Sequence, residues 1–312
     1  MPLLTVFTPT FNRSSLLSRA YQSLLDQREQ NFDWLIIDDG SEDGTEEIVG
    51  QWISNGIIPI HYVRKPNGGK YTAMLEARKH IRGDWVIILD SDDELTPDAT
   101  RVLAEEISRI RESALPIREI RAFCKLADGK TLDHFIFPGN TEVFDATWHE
   151  AVLRHGMDTE MLSCLGRETY LDVVHLPDNL WLKEKFRYFS EAVFWARIKT
   201  KTRYLNKELR IYHLDAYNSV MRNTSKETGY YDDIIFSRYF LSENTEQFFK
   251  RPSYFISLCI KYIVAGRINH VRMSTLFTQA SGWRFKLLFL LMFIPSQLYY
   301  GYGKNIRGAF WR

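Results

Sequence analysis

An α/β fold with a mostly parallel central sheet flanked by helices is what this sequence predicts, on three observations. Strand-like apolar runs alternate with helix-like stretches four times before Arg111. The fourth run, Asp84-Trp85-Val86-Ile87-Ile88-Leu89, is apolar almost throughout, as a strand buried on both faces must be. Two of the runs stop abruptly in acids, Asp38-Asp39 and Asp90-Ser91-Asp92-Asp93. Such alternation argues a doubly wound sheet, in which ligands bind beyond the carboxyl ends of the strands.

The elements follow in order. Leu3 to Thr8 is a short β-rich run, and after Pro9-Thr10-Phe11-Asn12-Arg13 the residues Leu16, Leu17, Ala20, Tyr21, Leu24 and Leu25 mark one face of a helix. Phe32 to Asp39 is the second strand, and Asp43-Gly44-Thr45 opens a helix through about Ile53. Ile57 to Val63 is the third strand, and Pro66-Asn67-Gly68-Gly69-Lys70 turns into a helix over Tyr71 to Ile81. A helix N-terminus preceded by glycines and carrying a lysine suits phosphate, because free N–H groups and the helix dipole favour an anion. Behind the acidic fourth strand, Thr96 as N-cap and Pro97 at the first helical position open a helix to Arg111. Short strands around Asp128-Gly129 read as a hairpin between Ile117 and Phe137. Residues 141–175 carry no clear pattern. Leu180 to Arg203 reads as helical in its second half, with Phe186, Phe189, Val193, Phe194 and Ile198 apolar, and Leu209 to His213 as a late strand.

The acids carry the chemistry. Asp90, Asp92 and Asp93 repel one another within one turn unless a cation or solvent neutralises them. Oxygen ligands on a short turn suit a hard divalent ion that also holds phosphates. The competing reading, that the acids only start the next helix, is weakened because Thr96-Pro97 already supplies that start. No G-x-G-x-x-G follows the first strand and no Walker A lysine motif occurs, which counts against a dehydrogenase or a P-loop NTPase.

Composition adds a second feature. The chain has 312 residues and three cysteines, Cys124, Cys164 and Cys259, an odd number without repeated spacing. That argues against a disulfide framework or a zinc site, fits a reducing cytosolic setting, and goes with the lack of a signal-peptide pattern at Leu3 to Thr8. Glu246 is the last acid, and ten Lys or Arg follow it, so the first 246 residues hold 30 basic against 39 acidic side chains. Within the basic tail, Trp283-Arg284-Phe285-Lys286 leads into eight uninterrupted apolar residues, Leu287 to Ile294, short of the roughly 20 that span a bilayer. An interfacial anchor on anionic lipid is the expectation, with Trp283, Tyr299, Tyr300 and Tyr302 at its ends, and nucleic acid is not an expected partner. The expected domains are 1–215, nucleotide-binding and catalytic, and 216–312, a helical, basic extension.

Three strand-end segments resemble, in order, motifs of the family 2 inverting glycosyltransferases of the bacterial surface-polysaccharide type. Thr8-Pro9-Thr10-Phe11-Asn12-Arg13 is similar to T-P-[ST]-[YF]-N-R, Ile36-Ile37-Asp38-Asp39-Gly40-Ser41-Glu42-Asp43 to V-V-D-D-G-S-x-D, and Leu89-Asp90-Ser91-Asp92-Asp93 to the L-D-x-D-D form of the DxD motif. The resemblance implies the GT-A fold, Rossmann-like, and transfer of a sugar from a nucleotide sugar, UDP-linked by expectation, to a hydroxyl of a glycan or lipid-linked glycan. It implies Asp39 on the base, Pro9 and Arg13 at the edge of the base pocket, Lys70 on the nucleotide and Asp90 near the ribose. It also implies Asp92 and Asp93 on Mn²⁺ or Mg²⁺ against the diphosphate, with His213 as a late candidate on the metal side. In Phe189-Ser190-Glu191-Ala192-Val193-Phe194-Trp195, Glu191 stands where the family has its base aspartate; Asp158, Glu160 and Glu184 are the fallback acids. The implied location is cytoplasmic, peripheral on the inner face of the cell membrane. The rival readings are a sugar-nucleotide pyrophosphorylase, which should carry glycines between Thr8 and Arg13, and an inactive sugar-nucleotide or glycan-binding protein.

Overall fold

The computed structural model describes residues 2–130, 132, 135–157, 159–176, 189–214 and 231–305. Two compact units emerge, one of 1–176 with 198–217 and one of 177–197 with 218–312.

The first unit alternates β1 (Leu4–Thr10), α1 (Ser14–Leu25), β2 (Phe32–Asp38), α2 (Thr45–Asn55), β3 (Ile60–Arg64), α3 (Lys70–Ala77) and β4 (Trp85–Ile88). It continues through β5 (Glu94–Leu95), α4 (Ala99–Ser113), β6 (Ile117–Leu126), β7 (Val143–Thr147), β8 (Met161–Gly166), α5 (Arg167–Val173) and β9 (Lys201–Tyr212). The nine strands among the described residues join one sheet in the order β3-β2-β1-β4-β8-β6-β9-β5, with β7 on β9. β1 pairs in parallel with β2 and β4, and β2 with β3, while β8 meets β4 and β6 antiparallel. Every residue of β1, β2 and β4 is buried, the condition that made β4 readable as a continuous apolar run.

The core under β1 and β2 is aromatic. Tyr21 stacks on Trp52 with ring centroids 4.2 Å apart, Trp34 lies beside both, and the Trp34 indole N–H donates to Thr8 Oγ1 at 2.9 Å. The entry to β4 is pinned by Thr5, whose hydroxyl donates to Asp33 at 2.6 Å and accepts the N–H of Gly83 at 2.8 Å. A Cβ on Gly83 would lie 2.5 Å from the Thr5 nitrogen, so only glycine lets the chain enter the strand this close to β1.

Several local expectations shift. The helix after β5 starts at Ala99 with Asp98 in the cap position, because Thr96 is held back by β9: its N–H donates to Leu209 O at 3.0 Å. The Asp128-Gly129 turn closes with the N–H of Leu126 on Lys130 O at 2.7 Å, yet no return strand follows among the described residues. The helix expected in the second half of 180–203 is confined to Ala192–Trp195, and Lys201 already begins a strand; residues 177–188 lie outside the described residues.

The described residues of the second unit are mainly helical: α6 (Ala192–Trp195), α7 (Tyr231–Asn244), a 3₁₀ turn at Thr245–Lys250, α8 (Pro252–Ile268), α9 (Met273–Gln279) and α10 (Trp283–Asn305). Pro252 opens α8 where its missing N–H costs nothing. The Tyr262 hydroxyl ties α8 to α9 by donating to Leu276 O at 2.9 Å. No helix among the described residues is long and apolar enough to cross a membrane.

Candidate active site

The carboxyl ends of β1, β2 and β4 converge, and the loops leaving them are laced together. β1 and β2 run in register with Thr10 opposite Asp38, and the Asp39 N–H donates to Thr10 O at 2.9 Å. Beyond the strands, the Asn12 N–H donates to Ser41 Oγ and Asn12 Oδ1 accepts the Glu42 N–H, each at 2.8 Å. The Ser14 N–H donates to Asp43 Oδ2 at 2.9 Å. The first two motifs are thus one structural unit, with Pro9 buried inside β1 and Arg13 at its rim.

The two aspartates ending β2 have separate roles. Asp38, fully buried, accepts the Ser41 N–H at 2.8 Å and hydroxyl at 2.6 Å on one oxygen and the Tyr62 hydroxyl at 2.5 Å on the other. It therefore shapes its own turn. Asp39 faces the glycine-rich turn and accepts the N–H groups of Gly68 (3.0 Å) and Gly69 (2.6 Å), the Thr72 hydroxyl (3.3 Å) and the Lys65 ammonium. Gly40 sits at φ +87°, and a Cβ there would lie 3.0 Å from the Asn67 nitrogen, so its lack of a side chain lets the two turns close on each other.

From that turn α3 begins at Lys70, whose ammonium donates to Asp90 Oδ1 at 2.5 Å. Arg13 pairs with Asp92. The pairing of β5 with β9, Glu94 opposite Ile211, brings Arg210 to Asp93 with Nε 3.4 Å from Oδ2, and the other end of the guanidinium donates to Glu160 at 2.5 Å. The His213 N–H donates to Asp93 Oδ1 at 3.1 Å while its ring Nε2 lies 2.7 Å from Glu94 Oε1. Each of Asp39, Asp90, Asp92 and Asp93 therefore faces a cation.

Their electrostatics differ accordingly. Burial pushes the Asp90 carboxyl up, but the Lys70 ammonium, then Arg210 and Arg13, outweigh it and hold the group below the usual carboxylate range. Burial pushes Asp93 up to about 7 against the pull of Arg210, with the charges of Asp90 and Asp92 adding to the rise. Asp93 Oδ2 is buried and accepts no hydrogen bond among the described residues: the Arg210 contact is an ion pair at 3.4 Å without hydrogen-bond alignment.

The first unit thus brings together Pro9, Arg13, Asp39, Lys70, Asp90, Asp92, Asp93 and His213 around the carboxyl ends of the sheet's parallel strands. Glu191 belongs to the second unit, half-buried at the start of α6, where its carbonyl accepts the Phe194 N–H at 2.8 Å. Of the fallback acids, Glu160 holds Arg210, while Asp158 and Glu184 lie outside the described residues. Sequence reasoning missed Lys65 and Arg210. Lys65 directly precedes the glycine turn and Arg210 lies inside the expected late strand from Leu209 to His213, so position alone was the available signal. A cavity of about 630 Å³ opens at the opposite end of β4, lined by Asp84, Trp85, Arg111, Arg118 and Arg167 among others. The carboxyl ends remain the place where open α/β sheets bind ligands.

The family model described as Glycosyl transferase family 2 matches residues 5–150. A Campylobacter jejuni protein named GalNAc(5)-diNAcBac-PP-undecaprenol beta-1,3-glucosyltransferase is 26% identical over 232 residues, 72% of this chain and 69% of that protein. The chondroitin synthase of Pasteurella multocida is 32% identical over 106 residues, 34% of this chain and only 11% of the synthase. Among solved structures, S. aureus TarS 1–349 in complex with UDP-GlcNAc aligns with a TM-score of 0.56 at 17% identity, covering 96% of this chain and 92% of TarS 1–349. The mannosyltransferase PcManGT of Pyrobaculum calidifontis, in complex with GDP-Man and Mn²⁺, aligns with a TM-score of 0.53 at 15% identity over 96% and 83% of the two chains. At those identities the structural likeness establishes the fold.

Proposed function

Starting from residues 5–150 being a family 2 glycosyltransferase domain, and the chain therefore a glycosyltransferase, we propose that it moves a sugar with inversion from a UDP-sugar to a hydroxyl of a lipid-linked glycan in polysaccharide assembly. The observation that carries this reading is the row of four carboxylates at the strand ends, each set against a basic side chain. Such a row can receive a diphosphate and its counter-ion by exchanging partners: cations turn to phosphate as carboxylates turn to metal.

In this reading Asp39 orders the turn from Lys65 to Lys70 and, with Pro9 and Arg13, forms the base pocket. Lys70 meets the nucleotide and Asp90 the ribose. The donor set fits a hard divalent cation, because Asp93 Oδ2 is a buried oxygen with no hydrogen bond and Asp92 stands one residue away. Among the described residues no three His, Cys, Asp or Glu side chains form a metal cage. Mn²⁺ or Mg²⁺ held by Asp92 and Asp93 would draw its further ligands from the diphosphate and water, as Mg²⁺ sites commonly do. His213 belongs to the same side, its backbone on Asp93 and its ring braced by Glu94. Held there, such an ion would supply positive charge against the negative charge that develops on the departing nucleoside diphosphate. Glu191 is the proposed base that takes the acceptor hydroxyl's proton.

The lipid-linked acceptor rests on the name of the Campylobacter relative and on the acid-free, apolar tail, which also supports a peripheral place on the inner face of the cell membrane. The test is incubation with Mn²⁺ and a panel of nucleotide sugars. Slow hydrolysis of UDP-sugars is expected, and failure to bind or hydrolyse any nucleotide sugar would overturn the reading.

A further inference from the structure

Helix α10 carries two apolar faces, and among the described residues only one of them is packed. Phe285, Leu288 and Phe289 are buried, with the Phe285 ring 5.4 Å from Tyr262 of α8 and the Phe289 ring 5.6 Å from Phe277 of α9. On the other face Trp283 (68% exposed), Leu287 (49%), Leu290 (60%), Leu291 (59%), Ile294 (69%) and Leu298 (70%) are open. At roughly 100° per residue these six fall within an arc of about 100°, so they form one continuous stripe rather than scattered exposures. A stripe of this kind on a soluble surface marks an interaction site.

The charges beside the stripe select its occupant. On the same helical projection Arg284 and Lys286 fall on opposite borders of the arc, and no acid follows Glu246 anywhere in the sequence. An apolar strip bordered on both sides by cations matches a surface that is apolar within and anionic at its rim. A second copy of this chain would set the same cations against each other across a two-fold contact. Trp283 begins the stripe and Tyr299 and Tyr300 follow its last leucine, so rings with a polar edge stand at both ends, where headgroups meet acyl chains. No described helix is long and apolar enough to cross a membrane, so any bilayer contact of this helix would run along the surface.

The geometry points to this stripe as the surface that enters an anionic bilayer, with α10 lying in the plane of the headgroups and the leucines and Ile294 facing the acyl chains. The inference deepens the membrane partner proposed above and rests on that reading. It commits the contact to one face of one helix. The opposite face, with Phe285 and Phe289, stays packed on the protein.

Co-sedimentation of the full chain with phosphatidylglycerol–phosphatidylcholine vesicles, against phosphatidylcholine alone, tests it. Binding to the anionic vesicles at low salt is expected, falling several-fold as salt is raised. The Leu290→Asp/Ile294→Asp variant should bind at least tenfold more weakly, with an unchanged circular dichroism spectrum and unchanged sugar-nucleotide hydrolysis in vesicle-free solution. Should that variant unfold, Leu287→Gln/Leu298→Gln tests the same stripe with a milder change, and a severalfold loss is expected. Arg284→Glu/Lys286→Glu should weaken anionic binding and leave neutral vesicles unaffected. Wild-type protein that ignores anionic vesicles at low salt, or stripe variants that bind as wild type does, would overturn the proposal. So would a dimer in analytical ultracentrifugation that Leu290→Asp/Ile294→Asp dissociates, since the stripe would then cover a second copy. Hydrolysis measured without vesicles stands apart: its absence would strike the donor reading and leave the vesicle result intact.

Discussion

At the strand ends of the first unit Arg13, Lys65, Lys70 and Arg210 lie against Asp92, Asp39, Asp90 and Asp93, whereas in the second unit Arg251, Arg267, Arg284 and Lys286 lie over the rings of Tyr254, Tyr300, Trp283 and Phe277. The division is not absolute, since Arg210 also covers Tyr212 and Arg197 pairs with Glu243 at 3.3 Å. It still separates two uses of basic side chains. A cation on a buried carboxylate is half of an exchangeable pair, ready to trade its partner for a ligand of opposite charge. A cation over a ring keeps its ammonium or guanidinium at the water edge, where an anionic surface can meet it.

Removing one carboxylate from the first set should have the largest effect. Asp92→Asn keeps the shape of the turn but removes the charge that pairs with Arg13 and, in the proposed mechanism, with the metal. Turnover of a nucleotide sugar should fall to background, and unchanged turnover would detach the acidic turn from the chemistry. Glu191→Gln comes next: loss of a base typically lowers turnover by roughly 10²- to 10⁴-fold, with donor affinity nearly unchanged. A Gln variant as active as the wild type on a true acceptor would remove Glu191 from the reaction.

Two cation deletions then separate the two kinds of pairing. Lys70→Met should weaken nucleoside diphosphate binding by roughly 10- to 100-fold, the worth of a hydrogen bond from a charged donor. Arg251→Ala, which removes a cation 5.6 Å from the Tyr254 ring centroid, should lower stability by only about 0.5–1 kcal/mol and leave donor binding alone. If the Arg251 variant lost donor binding as Lys70→Met should, the contrast between the two units would collapse.

The part of this arrangement that was legible in the sequence follows from burial. β1, β2 and β4 are buried on both faces, so they read as largely apolar runs, and the acids that follow β2 and β4 stand out against those runs. β9 was hidden for the opposite reason. Its sequence, KTRYLNKELRIY, is rich in charge, yet Arg203 and Arg210 are buried because Asp145, Glu106, Asp93 and Glu160 neutralise them. Partners distant in sequence leave no local pattern, so a pattern-based reading sees polarity and finds only the last few residues of the strand. Thr96 illustrates the same limit: its cap signal is real, but the bond to Leu209 of β9 delays the helix to Ala99. Lys65 and Arg210 matter through tertiary pairing alone. The exposed stripe of α10 was half legible, since composition showed its apolar and basic character while only packing shows which face α8 and α9 leave open.

Calorimetric titration of UDP into the wild-type protein, with Mn²⁺ and again with excess chelator, bears most directly on the central claim that the strand-end carboxylates hold a diphosphate through a divalent ion. The account predicts binding that needs the ion and is lost in Asp92→Asn and Asp93→Asn. Equal UDP affinity in chelator, or undiminished ion-dependent binding in both variants, would contradict it.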